Sequence, residues 1–164
     1  MAIAQQFIGE LQQESATTRR VLERVPESHL GWKPHPKSMS LGELAFHIAV
    51  LPRGITDLIT SLVTEVPVVP LHQATSRDEI LTALDASIAH AVAKLSAWSD
   101  ADLTATWRMT QDGKTLLEMP RIAMFRAVML NHWYHHRGQL TVYLRLLDVP
   151  LPVVYGPTAD EQVF

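Results

Sequence analysis

Cysteine is absent from this chain of 164 residues. That excludes disulfides, thiolate metal centres and cysteine nucleophiles. Any metal must be held without sulfur, and any thiol in the chemistry must arrive with a substrate. A strong charge imbalance is missing too: the formal net charge is −3, which argues against general nucleic-acid binding. Long apolar runs are missing, since Arg53, Asp57, Arg126 and His132 interrupt the best of them, so no membrane span is expected. The first twenty residues lack a basic leader followed by an apolar stretch, and a cytoplasmic protein without a signal peptide is the expectation. What the chain does have is 47% hydrophobic content and eight histidines. Its length suits a single domain over residues 1–164, burying roughly two thirds of the unfolded surface without a disulfide or structural metal.

Four segments carry a helical period. In the first, Ile3, Phe7, Leu11, Thr18, Val21, Leu22 and Val25 share a stripe that Pro26 ends. The second opens on Ser40 and Glu43, spaced as a capping box, and carries Leu41, Leu44, Ala45, Ile48, Leu51, Ile55 and Leu58. Pro52 removes an amide donor inside this run and crowds the Ile48 carbonyl, which predicts a kink just past His47. A third helix begins at a Ser76–Glu79 cap. From Trp98 to Pro120 the period fades: Thr104 to Thr110 suits a short extended arm and Gln111 to Lys114 a turn, together one small hairpin. A fourth helix runs from near Pro120 to about Leu147, followed by a tail rich in proline. These segments point to an all-α fold, a helical bundle with a long loop between helices three and four. The link between helices two and three fits either a tight turn or an overhand crossing.

The histidines carry the chemistry. His132 and His136 stand four apart on the fourth helix, so both imidazoles rise from one face. Their row continues through Phe125, Met129, Leu140, Tyr143 and Leu147, and two polar rings in a core row need partners. A shared metal supplies them, because neutral imidazole suits zinc, nickel, iron or copper. Core histidines bonded to their neighbours are the plain alternative. The glutamate of a zinc-protease helix is absent, with Trp133 in its place, which disfavours that mechanism. His47, on the inward side of the second helix, is the candidate third ligand. Three imidazoles leave a coordination position for water or substrate. His135 lies about 100° round the helix from His136 and suits a supporting or interface role better than ligation. His29, His35, His72 and His90 lack this context and read as solvated or locally bonded.

The stretches Trp32 to His47, Asn131 to Tyr143 and Pro152 to Glu161 resemble the DinB-like family, the DinB/YfiT-like metalloenzyme superfamily. That resemblance implies a four-helix bundle in up-down-down-up order with an overhand link between helices two and three. It implies metal ligation by His47, His132 and His136, a divalent ion such as zinc or nickel, and a homodimer. It also implies a small-molecule substrate, since characterised relatives are transferases using low-molecular-weight thiols (bacillithiol or mycothiol) and a mycothiol-dependent isomerase. Hydrolysis of a small ester or amide through activated water, and a non-catalytic metal-binding dimer, stay open beside thiol transfer.

Around the site, Glu43 serves its capping box before any support of His47. Arg137 suits a surface salt bridge, a pairing with an acid across the bundle or an anionic substrate, and Gly138 suggests close approach by another helix or by the loop. Trp32, Trp107, Trp133 and Tyr155 are candidates for the entrance. The apolar second side of helix four, through Val128, Leu130, Val142, Leu144 and Leu146, favours a partner copy.

Overall fold

The structure, a computed structural model, describes residues 3–162. Helix α1 spans Ile3–Leu22, α2 Leu41–Leu58 and α3 Arg77–Ala97, followed by a short α4 at Asp100–Thr104. The last helical column is composite: α5 at Arg121–Met124, a π-helical turn at Phe125–Leu130, and α6 at Asn131–Leu146. Three strands complete the chain, β1 at Val63–Glu65, β2 at Thr106–Gln111 and β3 at Lys114–Pro120.

The all-α four-helix bundle expected from the helical periods is therefore corrected. The fold mixes helix with a three-stranded mixed sheet in the order β1-β2-β3. The turn expected at Gln111 to Lys114 is present, with Asp112 at φ 50° and Gly113 at φ 75°, the left-handed pair that a tight hairpin demands. The strand missed is β1. It has three residues, the outer two exposed and Thr64 partly buried, and pairs parallel with β2 through Val63↔Arg108, Thr64↔Met109 and Glu65↔Thr110. So brief a strand has no period to read; its partner forty-five residues away makes it one. Trp107, fully buried on β2, reaches Thr64 Oγ1 with its indole N–H at 3.3 Å and ties the two strands side to side. Both long links thus donate strands, where one was expected to be a loop.

The starts of the long helices are chemical. Ser40 Oγ accepts from the Glu43 amide at 3.1 Å, and Glu43 accepts from the Ser40 amide at 2.7 Å, closing the capping box. Ser76 caps α3 through the Glu79 amide at 3.1 Å. The Glu79 carboxylate instead turns back to the Thr75 amide at 2.7 Å. Gly42 fits because a Cβ there would meet the Gln73 side-chain nitrogen at 2.2 Å. α3 is the one helix among the described residues with the length and apolar composition to cross a membrane. In the fold it packs on α1 and α2, with Ile80, Leu84, Ala91 and Leu95 in the core.

Two arginines organise the interior. Arg121 is buried and donates to the Ile59 carbonyl at 2.8 Å, the Thr60 carbonyl at 3.0 Å and the Asp102 carbonyl at 2.6 Å. It gathers the C-terminal end of α2, where carbonyls lack helical partners, onto the start of the last column. Arg137 is also buried, which rules out the surface salt bridge and leaves the pairing with an acid across the helices. It pairs with Glu14 at 2.7 Å, donates to Thr18 Oγ1 at 3.1 Å and bonds the Tyr155 hydroxyl. Tyr155 donates in turn to Glu14 at 2.9 Å, which pins the C-terminal tail back on the helices.

Candidate metal centre

His47 is brought to α6 by a defect in its own helix. Pro52 has no amide to give the Ile48 carbonyl four residues earlier. That buried oxygen accepts instead from the Trp133 indole at 2.9 Å. The Arg53 amide likewise leaves the helical pattern and donates to Ser87 Oγ on α3 at 2.9 Å. The interruption in α2 is thus satisfied from both neighbouring helices. Because Trp133 adjoins His132, the same bond sets α2 against the histidine-bearing stretch of α6. A π-helical turn immediately precedes that stretch, and such turns are frequent at functional sites.

The outcome is a three-histidine cluster. One ligand nitrogen from each of His47, His132 and His136 lies within 4.8 Å of the others. The ring centroids stand 5.5 Å apart for His47 and His132, 4.7 Å for His47 and His136, and 4.4 Å for the α6 pair. The three candidates taken from the sequence are thus together, and among the described residues no carboxylate joins them. His135 is exposed and touches only the edge of His136, at 5.2 Å between centroids. The other four histidines are elsewhere: His29 and His35 bond locally, His72 pairs with Glu79 and His90 with Asp57.

The donor set fits a cation. His136 Nδ1 lies 2.7 Å from Gln139 Oε1, so Nδ1 carries the proton and Nε2 presents its lone pair. That lone pair faces His132 Nε2 at 2.5 Å, within hydrogen-bonding distance. Nitrogens of a tetrahedral zinc site stand about 3.3 Å apart, so holding zinc requires this pair to spread. Burial holds all three rings neutral. The pKa of His47 and of His132 is lowered first by loss of solvent and then by a neighbouring histidine, and His136 falls to about 4, again mainly through burial. At neutral pH each ring can therefore offer a lone pair.

Beside the cluster opens an apolar cleft of about 280 Å³. One wall is a single face of α2: His47, Val50, Leu51, Gly54, Ile55 and Leu58. The facing wall is residues 67–70, and His132 closes one end. Sequence reading assigned this stripe to the core, because its spacing is that of a packed face. The fold buries Leu51 and half-buries Ile55 and Leu58, while leaving a cleft between this face and the link after α2. The aromatic residues proposed for an entrance do not line the cleft. Trp107 and Trp133 are buried structural donors, Trp32 packs edge-on against Tyr143 at 5.6 Å, and Tyr155 belongs to the tail. Glu43 is committed to its capping box and to Lys33 at 3.5 Å. Gly138 meets no close neighbour, contrary to the expectation of a tight helix approach.

A family model, the DinB family, matches residues 1–162. The chain belongs to the DinB family. The chain is similar to the uncharacterized protein YrdA of Bacillus subtilis (strain 168), 28% identical over 158 residues, covering 94% of this chain and 89% of that protein. A DinB-like protein from Bacillus cereus ATCC 10987 superimposes with a TM-score of 0.67 at 28% identity, covering 91% of this chain and 95% of the other. A DinB-like protein of Bacillus subtilis, YjoA, gives a TM-score of 0.69 at 20% identity over 97% of this chain and 99% of its own. At that lower identity the match speaks for the DinB fold alone.

Proposed function

We propose that the chain is a metal-dependent enzyme that transfers a low-molecular-weight thiol to a small electrophile. The observation that carries this reading is the neutral cluster of His47, His132 and His136 beside an open cleft. Three imidazoles with no carboxylate leave room for a substrate atom, as catalytic sites do, and their donor set suits zinc or nickel. When bound, a divalent ion here supplies the positive charge that keeps a ligated thiol ionised at neutral pH. The histidines hold that ion, and Gln139 fixes the tautomer of His136. In the transfer the thiol loses its proton and its sulfur lone pair forms the bond to the electrophilic carbon. The bond to the leaving group breaks with its electron pair, and the released proton neutralises that group.

The test begins with metal analysis of untagged protein, expected to show about one transition metal per chain and a strong reduction in His132→Ala. Turnover of an aryl halide is then measured with bacillithiol, mycothiol, glutathione or no thiol. Thiol-dependent turnover that chelation abolishes and one metal restores supports the proposal. Ester or amide turnover without thiol identifies a hydrolase instead, and metal retention with neither activity identifies a binding protein. We place the reaction in the cytoplasm, where such thiols are kept reduced. Val142 and Leu146, a turn apart on α6 and 58% and 59% exposed, support pairing with a second copy. Light scattering on wild type and Val142→Glu checks that pairing.

A further inference from the structure

The cleft is built for one kind of occupant. Apart from His47 and His132, every residue lining it is apolar, and no lysine, arginine, aspartate or glutamate reaches it. Away from the histidine end, a charged group against this wall finds no side-chain counter-charge and loses part of its water, which disfavours it relative to hydrocarbon. The volume of about 280 Å³ corresponds to roughly nine water-sized atoms. The α2 wall is continuous except at one point. Gly54 stands where a side chain would project, and a Cβ built there meets nothing within 4 Å. The helix therefore forgoes a better helix former at a position where packing would admit one, and the space left is the cleft itself.

We infer that the cleft binds a neutral, apolar small molecule, with its hydrocarbon part along Val50, Leu51, Gly54 and Leu58 and a single donor atom at the His47–His132 end. Gly54 determines how much hydrocarbon is admitted. Placement of the donor atom rests on the metal reading above; the hydrocarbon site rests on the cleft alone. In a thiol transfer this assigns the cleft to the uncharged electrophile and leaves a polar, carboxylate-bearing thiol to approach from solvent.

The test uses the full chain, metal-free and zinc-loaded, with butan-1-ol, hexan-1-ol, hexane-1-thiol and 6-mercaptohexanoate as probes. Affinity is read by calorimetry, and location by methyl shifts of Val50, Leu51, Ile55 and Leu58. Each added CH₂ contributes about 0.8 kcal/mol, close to fourfold in Kd, so hexanol is expected to bind about fifteenfold tighter than butanol. The terminal carboxylate should weaken binding at least tenfold relative to hexanethiol. Gly54→Leu should remove the chain-length dependence while metal content is unchanged, and Gly54→Ala should reduce it. Equal affinity for butanol and hexanol, equal binding of the carboxylate, or unshifted cleft methyls overturns the inference. If metal-free protein shows the alcohol series but retains no zinc, the cleft stands and the metal reading falls. If zinc is retained without any chain-length dependence, the metal reading stands and the cleft inference falls.

Discussion

Replacing Trp133 by Phe isolates the bond that sets α2 against α6. The Ile48 carbonyl is buried and has no helical partner, because residue 52 is proline; the Trp133 indole is its donor at 2.9 Å. The benzene ring of Phe fills most of the indole's space but donates nothing. A buried acceptor stripped of its partner costs about 1–3 kcal/mol, and the smaller ring adds about 1 kcal/mol of lost burial. The expected loss is about 2–4 kcal/mol, a large share of an ordinary folding stability of about 5–15 kcal/mol. For a chain of this size that lowers the melting temperature by roughly 5–12 °C. The decisive measurement is a double-mutant cycle with Pro52→Ala. Alanine returns an amide able to reach the Ile48 carbonyl, so Trp133→Phe should cost about 1–2 kcal/mol less in that background. Denaturant unfolding of the four proteins gives the coupling. An equal cost in both backgrounds refutes the reasoning and makes Trp133 a filler of space only.

Other expectations follow from the same contacts. Gln139→Leu removes the acceptor that orients His136 and should weaken metal binding about 10–100-fold with the fold intact, as competition with a chromogenic chelator would show. Arg137→Met leaves Glu14 buried without its cation, so a loss of about 3–5 kcal/mol is expected, and the double change Glu14→Leu with Arg137→Met should recover part of it in chemical denaturation. The metal-free protein should lose stability as pH falls from about 6.5 toward 4. There the unfolded chain protonates His136 while the folded chain, with its pKa near 4, does not. Urea midpoints measured at steps through this window check the sign, and His136→Gln should flatten the slope. Arg121→Lys exchanges a planar fork serving three carbonyls for a single ammonium. A drop of about 2–3 kcal/mol in unfolding free energy is expected.

The candidate histidines were legible before the fold was, for a simple reason. His132 and His136 share a helix face by virtue of their spacing, and His47 sits on the inward stripe of an amphipathic helix whose capping box is written in Ser40 and Glu43. The supporting residues were less visible because their roles depend on partners far along the chain. Pro52 announced an orphaned carbonyl at Ile48, but nothing local said that Trp133 would serve it. Arg137 suited either a surface salt bridge or an acid across the bundle, and only the fold placed Glu14, 123 residues earlier, beside it. The hairpin was readable in Asp112 and Gly113, whereas β1 was not, since three residues make a strand only when another strand lies alongside.

The amino-acid sequence by itself thus determined the helices, their caps, the absence of sulfur ligands and the three imidazoles able to hold a metal, all properties of spacing and residue type over a few turns. The tertiary structure decided what these do together. It added β1 to the expected hairpin, supplied Ile48 with its donor, buried two arginines against distant partners, and opened a cleft along one side of α2 beyond His47. A stripe of Leu51, Ile55 and Leu58 reads the same whether a helix covers it or a cleft opens on it. Only the path of the link after α2 makes it the wall of a site.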